Sequence, residues 1–251
     1  MRIKGGGEGS FRTKGEKEAS RNYAKTFVNC PDSIETKLNS FTKYVRQQDL
    51  TRFLARYEIF KQVLNIKGSV IECGVHRGSG IMAWAKLSSI LEPVNLIRRI
   101  YGFDTFTGFP SVSEKDKNKF SNINTGDLDS NCYDELIELI KIYNSNRYLG
   151  HMEKVELIKG DAIKTIPEFM ENNKHLVVSL LFLDFDLYEP TKVAIENFFP
   201  RMPKGAIIAF DELDNPIWPG ETLALLDAIG INRLRIKRVT FDPYIGYAVL
   251  D

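Results

Sequence analysis

The feature that most constrains this sequence is the apolar segment from Val177 to Leu183, which ends directly in Asp184-Phe185-Asp186. Such a segment is typical of a strand buried on both faces in the middle of a parallel sheet. In open α/β proteins, ligands bind at the carboxyl ends of these strands. Two carboxylates there can bind a hard cation, or one can hold a metal while the other accepts a proton. The alternative interpretation is that they only cap the helix that follows.

Length and composition favour one large α/β domain. The chain has 251 residues, of which 43% are hydrophobic, and this is enough to bury a full core. Its 34 basic and 33 acidic residues give a net charge of +1, so charge supplies no argument for a nucleic-acid or membrane partner. The three cysteines are far apart, and no apolar run is long enough for a membrane span or a signal core. These features predict a cytoplasmic protein.

Three regions outside the predicted sheet differ in composition. Gly, Lys, Glu and Ser dominate the first part of the chain, and we expect a flexible N-terminal tail over residues 1–32. Residues 33–66 carry apolar side chains at helical spacing, which predicts N-terminal helices at the start of a single domain over residues 33–251. Residues 111–150 begin with a long polar stretch, and we expect this insertion to act as a lid or substrate loop.

A glycine-rich turn follows the first predicted strand, Ser69 to Cys73. It has the sequence Gly74-Val75-His76-Arg77-Gly78-Ser79-Gly80 and leads into a predicted helix. Strand, glycine turn and helix together bring backbone N–H groups close to a ligand. The spacing matches neither the dinucleotide fingerprint nor a P-loop, and a glycine turn alone is about as often a feature of tight packing.

The next predicted strand, Ile97 to Phe103, ends in Asp104. A carboxylate at this position suits a ribose, whose two hydroxyls can both donate to it, although a turn cap is the alternative. Right-handed crossovers place the carboxyl ends of successive parallel strands on one edge. Strand-end acids therefore converge on one site, and they are Glu72, Asp104, Asp161, Asp184 with Asp186, and Asp211 with Glu212.

The fold predicted from these elements is α/β and doubly wound. It has a mostly parallel, seven-stranded Rossmann-like sheet and N-terminal helices. The segments Arg233 to Phe241 and Tyr244 to Leu250, separated by Asp242-Pro243, predict an antiparallel C-terminal hairpin.

Five segments carry motifs in order along the chain, and they are Ile71 to Gly78, Phe103 to Pro110, Gly160-Asp161-Ala162 with Thr165-Ile166-Pro167, Leu183 to Thr191, and Pro203 to Asp211. Together, over about Ser69 to Gly220, they resemble the motifs of one family, the TylF-like macrocin O-methyltransferases. The resemblance implies a class I S-adenosylmethionine fold, a divalent metal (Mg²⁺, with Mn²⁺ as a substitute) and a sugar hydroxyl as acceptor, in a sugar nucleotide or a glycosylated natural product. Where the family commonly has paired aspartates and Trp-Arg-Gly, this chain has Asp211-Glu212 and His76-Arg77-Gly78.

The resemblance also implies roles for individual residues. Asp186 is the expected general base, and Asp184, Asp211 and Glu212 are the expected metal ligands. The glycine turn would hold the methionine end of the cofactor, Asp104 the ribose, and Asp161 with Ala162 the adenine edge. The full set of expected cofactor contacts is Glu72, Gly74, Val75, Gly78, Ser79, Asp104, Thr105, Phe106, Gly160, Asp161, Ala162 and Asp184.

Two other functions remain open at the level of sequence. A metal-dependent glycosyltransferase using a nucleotide sugar would employ Asp184 and Asp186, but it gives Glu72, the glycine turn and Asp104 no role. A non-catalytic S-adenosylmethionine-binding protein would not need the four acids that follow the last two parallel strands. For the methyltransferase we expect a small sugar-containing acceptor and no nucleic-acid or membrane partner, and assembly into a homo-oligomer is left open.

Overall fold

A seven-stranded mixed sheet forms the centre of the structure, a computed structural model that describes residues 3–4 and 13–251. Two short strands, Ile3–Lys4 and Ser121–Asn122, form a separate parallel pair. The strands are β1 (Ile3–Lys4), β2 (Ser69–Cys73), β3 (Ile100–Asp104), β4 (Ser121–Asn122), β5 (Val155–Lys159), β6 (Val178–Leu183), β7 (Ile207–Phe210), β8 (Lys237–Arg238) and β9 (Gly246–Val249).

The strand order of the large sheet is β5-β3-β2-β6-β7-β9-β8. The first five strands are parallel, β9 is antiparallel to β7, and β8 is antiparallel to β9. The predicted sheet is therefore confirmed, although the C-terminal hairpin is shorter than expected. Because the chain runs outward from β2 in one direction and from β6 in the other, the switch point of the sheet lies between these two strands.

Helices cover both faces of the sheet, which confirms the doubly wound arrangement. They are α1 (Lys14–Asn29), α2 (Ile34–Asn39), α3 (Gln47–Gln62), α4 (Ser79–Leu91), α5 (Tyr133–Ser145), α6 (Ala162–Asn172), α7 (Tyr188–Phe198) and α8 (Gly220–Ala228). Helices α3, α4 and α5 pack on one face with Leu180 and Phe182, whereas α6, α7 and α8 pack on the other with Leu181 and Leu183. All residues of β6 are buried, as expected for a central strand. Within the described ranges, no helix is long and apolar enough to cross a membrane.

The N-terminal region differs from the predicted flexible tail over residues 14–29, which form α1. The helix begins with a capping box, in which Thr13 accepts from the backbone N–H of Glu16 and the Glu16 carboxylate accepts from that of Thr13. Near its end, the ring of Phe27 meets Tyr44 edge-on at 5.1 Å. The prediction rested on amino-acid composition, which does not show capping hydrogen bonds or the contact between Phe27 and Tyr44. Residues 1–2 and 5–12 of the predicted tail lie outside the described residues.

The predicted insertion, residues 111–150, consists of two parts with different roles. Its second half contains α5, whose residues Leu136 and Ile140 are buried in the same core as α4. This helix is the ordinary crossover between β3 and β5, so its residues belong to the domain core and not to a lid. The first part, an excursion over residues 111–132, is mostly irregular, and its residues Ser111 and Leu128 line a cavity at the carboxyl ends of the strands.

Candidate active site

The glycine turn after β2 lies directly beside the end of β6. Cys73 pairs with Leu183 across the two strands, and the backbone N–H of Asp184 donates to the Cys73 carbonyl at 2.7 Å. Gly74 has a φ of +96°, and a Cβ added there would lie 1.9 Å from the carbonyl oxygen of Asp184. Only glycine fits this approach, so the turn is built to pass close to the β6 loop.

Asp104 braces this turn from the neighbouring strand. Its Oδ2 accepts from the backbone N–H groups of Val75 at 2.8 Å and His76 at 2.7 Å, and its Oδ1 accepts from that of Phe106 at 2.6 Å. Each carboxylate oxygen can accept two hydrogen bonds, so Oδ1 keeps one acceptor position. The residue thus supports the turn through one oxygen and can still bind a ligand through the other.

A cavity of about 1380 Å³ opens over this edge of the sheet. Four expected cofactor contacts, Glu72, Val75, Gly78 and Phe106, do not line it. The expected site residues that do line it are Gly74, Ser79, Asp104, Thr105, Gly160, Asp161, Ala162, Asp184, Asp186, Asp211 and Glu212.

Glu72 lies on the protein side of the turn. Its carboxylate is buried, 3.8 Å from the Arg56 guanidinium, and a Cβ added at Gly80 would lie 1.8 Å from its Oε1. Burial raises the pKa of Glu72 to about 8, although the positive charge of Arg56 opposes this rise. The side chain therefore packs under the turn instead of reaching the cavity.

Three carboxylates converge at the carboxyl ends of β6 and β7. One oxygen each from Asp184, Asp186 and Glu221 lies within 4.8 Å of the others. Asp184 follows β6, Asp186 has a left-handed φ of +63°, and Glu221 stands in the first turn of α8. Because β6 ends at Leu183, Asp184 and Asp186 do not point the same way as alternate residues of one strand would. The left-handed backbone conformation at Asp186 brings their side chains together instead.

The expected metal ligands Asp184, Asp211 and Glu212 all line the cavity, but the tightest group of acids is a different one, so their shared role stays a prediction. Asp211 forms an ion pair with Arg52, and Asn215 donates to the Glu212 carboxylate. Asp184 is shared between the expected group and the observed one. The pKa values of Asp184 and Glu221 are raised well above their usual range, first by removal from water and then by the neighbouring negative charges.

Two arginines of α3 face these acids, and the sequence analysis did not identify them. Besides Asp211, Arg52 lies 3.4 Å from Asp242. Arg56, one turn later, lies 3.9 Å from the Asp184 carboxylate, and its guanidinium sits 4.9 Å from the centre of the Phe182 ring. Helix α3 therefore supplies positive charge to a site whose acids come from the sheet.

Asp161 has two roles. It lines the cavity, and its side chain also caps α6 by accepting from the backbone N–H of Ile163 at 3.1 Å. Asp161 therefore caps α6, and its predicted contact with the adenine edge stays a prediction.

The excursion before α5 is fixed to the site by a buried acid. Asp116 accepts from the backbone N–H of Tyr188 at 2.7 Å through Oδ1, and from Ser113 N–H at 2.9 Å through Oδ2. The first bond satisfies a free N–H group at the start of α7, just after Asp186. Phe109 lies just before the excursion, and its ring is 5.9 Å from that of Trp218 in the cavity wall.

Replacing Asp116 by alanine should lower the free energy of unfolding by about 1–3 kcal/mol, because backbone donors of two segments lose their buried acceptor. Urea unfolding would measure the loss. The exposed Asp129 of the same excursion provides the control, since Asp129→Ala should change stability little. Equal stability of the two variants would show that Asp116 does not anchor the excursion.

The fold and the site define a class of protein. A doubly wound sheet with a glycine turn at its switch point, an acid after the next strand and further acids after β6 and β7 is the arrangement of a Rossmann-like methyltransferase. The model of the macrocin-O-methyltransferase (TylF) family matches residues 43–224. The chain belongs to this family and is an S-adenosylmethionine-dependent O-methyltransferase.

Solved structures agree with this assignment. The crystal structure of the calicheamicin methyltransferase CalS11 is 33% identical, with a TM-score of 0.91, and the match covers 95% of this chain and 93% of that one. An apo structure of CalS11, described as a TDP-rhamnose 3'-O-methyltransferase, is 31% identical over 95% of both chains, with a TM-score of 0.83. The O-methyltransferase NovP, at 20% identity, 80% and 79% coverage and a TM-score of 0.58, shares the fold. Among curated proteins, no match was found.

Proposed function

We propose that this enzyme transfers the methyl group of S-adenosylmethionine to a hydroxyl of a sugar, with the help of a divalent cation. The observation that carries the proposal is the convergence of Asp184, Asp186 and Glu221 beside the glycine turn. A nucleotide-linked sugar is the favoured acceptor class, because CalS11 is described as acting on TDP-rhamnose. Family membership removes the reason to consider a glycosyltransferase.

The cleft beside the glycine turn fits the cofactor. The missing Cβ at Gly74 leaves the turn close to the Asp184 backbone, and Ser79 opens α4 at the cavity wall. Asp104 would accept from the ribose through its remaining position, and Asp161 would lie at the adenine edge. The cofactor supplies a methyl group that its sulfonium already activates, so the protein has mainly to align the acceptor oxygen and remove its proton.

The acidic group fits a divalent cation by the chemistry of its donors. All three side chains offer carboxylate oxygens, which suit Mg²⁺ and Mn²⁺. Asp184 is the ligand that the sequence and the geometry have in common, and Asp186 and Glu221 lie beside it in the same acidic group. A bound cation would lower the pKa of a coordinated sugar hydroxyl.

Asp186 is the proposed general base. It stands beside the proposed cation ligand Asp184, and from there its carboxylate can accept the hydroxyl proton. Asp186 would accept the proton that the hydroxyl loses as its oxygen takes the methyl group, and a bound cofactor would supply that methyl carbon and keep the electrons of its carbon–sulfur bond.

The test of the proposed function is a methyl-transfer assay with a panel of nucleotide-linked sugars, free sugars and catechols, read by mass spectrometry. We expect a single methylation on a sugar nucleotide. Turnover restricted to catechols would remove the sugar acceptor from the proposal. S-Adenosylmethionine binding, followed by calorimetry in the same samples, separates a wrong acceptor from a non-functional preparation.

Replacing Asp104 by alanine should weaken S-adenosylmethionine binding by about 2–3 kcal/mol, or roughly 30- to 150-fold. The ribose loses a charged acceptor, and the glycine turn loses its brace. Calorimetry would measure the affinity, and thermal unfolding would show how far the turn itself is affected. Asp104→Asn is the matched control, because it keeps one acceptor oxygen and should lose less affinity. An alanine variant that binds the cofactor like the wild type would remove Asp104 from the cofactor site.

A further inference from the structure

Glu221 is the most deeply buried acid of the site. It stands in the first turn of α8, and its exposed fraction is 0%. A glutamate that only stabilised the helix N-terminus could do so from the surface, without the cost of removing a charge from water. The burial of this side chain therefore indicates a role within the site.

Both oxygens of Glu221 accept hydrogen bonds from the backbone. Oε2 accepts from the N–H of Glu212 at 3.0 Å, and Oε1 accepts a longer bond from the N–H of Asp186 at 3.4 Å. Asp186 belongs to the loop between β6 and α7, whereas Glu212 belongs to the loop between β7 and α8. One carboxylate thus bridges two loops, each of which carries acids of the site.

The Glu221 bridge connects the two loops beyond the point where the hydrogen bonds between β6 and β7 end. The ladder between β6 and β7 ends at the pair of Leu183 and Phe210, followed by one bond from the N–H of Asp211 to the Leu183 carbonyl. Asp186 then adopts a left-handed conformation, which a residue with a Cβ keeps only when its surroundings hold it. The bond from its N–H to Glu221 supplies such a restraint.

We propose that Glu221 is a positioning residue that sets the spacing between the two acid-bearing loops and thereby the geometry at which Asp184 and Asp186 meet a cation. The role of the cation rests on the proposed function. The bridge itself is a property of the chain and can be tested without it.

Two substitutions separate the bridge from a simple effect of charge. Glu221→Asp keeps the charge but is one methylene shorter, so it cannot reach both amides. Glu221→Gln keeps the length but loses the charge and one of the two acceptor oxygens. The same two substitutions at Glu168, an exposed residue of α6, are the matched controls.

The first measurement is amide hydrogen exchange in peptides that contain Asp186 and Glu212, on the full chain without added metal. We expect exchange in both peptides to be faster by roughly 5- to 10-fold in both Glu221 variants, and unchanged in the Glu168 variants. Wild-type exchange in both Glu221 variants overturns the proposal. If one variant does not fold, the other still decides the question.

The second measurement is Mn²⁺ binding, followed by electron paramagnetic resonance, with S-adenosylmethionine affinity measured in parallel. A bridge predicts that both variants bind Mn²⁺ about tenfold more weakly, with cofactor affinity within about twofold of wild type. If Glu221→Asp binds Mn²⁺ like the wild type while Glu221→Gln does not, the residue acts through charge and the proposal is wrong. A wild-type protein that binds no Mn²⁺ would contradict the cation in the proposed function, and hydrogen exchange would still test the bridge.

Discussion

Replacing Asp186 by asparagine should lower kcat by roughly 10²–10⁴-fold, the usual range for the loss of a general base. The substitution preserves the size of the side chain and the backbone N–H that donates to Glu221, but it removes the basic oxygen. S-Adenosylmethionine affinity should change little, because Asp104 and Asp161 stand at the ends of other strands. Single-turnover methyl transfer at saturating acceptor would measure the chemical step directly.

Asp184→Asn is the comparison that separates a base from a ligand. The two aspartates are two positions apart and lie in the same acidic group, so both substitutions remove one charge from it. A base should lose turnover while keeping Mn²⁺ binding, whereas a ligand should lose both. If Asp186→Asn weakened Mn²⁺ binding as severely as Asp184→Asn, Asp186 would be a ligand. The base would then have to be sought elsewhere, with His76 of the glycine turn as the next candidate.

The sheet and the convergence of acids could be predicted because both follow from local patterns and a general rule. An apolar segment such as β6 identifies a central strand, and right-handed crossovers then place the ends of the parallel strands on one edge. The positions of Gly74 and Asp104 follow from this logic, and the structure puts both at the cavity wall. What the sequence could not show is that Asp104 also braces the turn, since this depends on backbone N–H directions.

The sequence analysis missed residues whose partners are far away in the chain or whose local sequence context is common. Arg52 is 159 positions away from its partner Asp211, and in the sequence it is one charged residue on an amphipathic helix. Glu221 resembles any acid in the first turn of a helix, where solvent exposure is common. Its burial results from the close packing of Gly220, at which an added Cβ would lie 2.5 Å from the Tyr188 backbone nitrogen. Local sequence does not encode such contacts.

The partners of Asp211 could not be predicted from the sequence, although its place at the edge of the sheet could. Paired acids at the end of β7 suggested two ligands, but Arg52 of α3 neutralises Asp211 in the structure. Topology places Asp211 in the cavity wall, but its charged partner comes from another element, and its role as a metal ligand stays a prediction. The arginine lies within residues 43–224, the part of the chain that the family model matches, whereas the motifs recognised in the sequence began at Ser69.

Removal of divalent cations should reduce methyl transfer by roughly 10³-fold or more, since cation stabilisation of a developing alkoxide contributes several kcal/mol. The physical reason lies in the group formed by Asp184, Asp186 and Glu221. A cation bound at these carboxylates could also bind the sugar oxygen, which the carboxylates alone would repel as it becomes negative. EDTA treatment followed by activity measurements would test this, and adding back Mg²⁺ or Mn²⁺ should restore turnover. S-Adenosylmethionine affinity, measured by calorimetry in the same chelator, should persist because Asp104 and Asp161 lie outside that group. Full activity in EDTA would show that the acids work without a metal, and Arg52 and Arg56 of α3 would then be the cations nearest to the reaction.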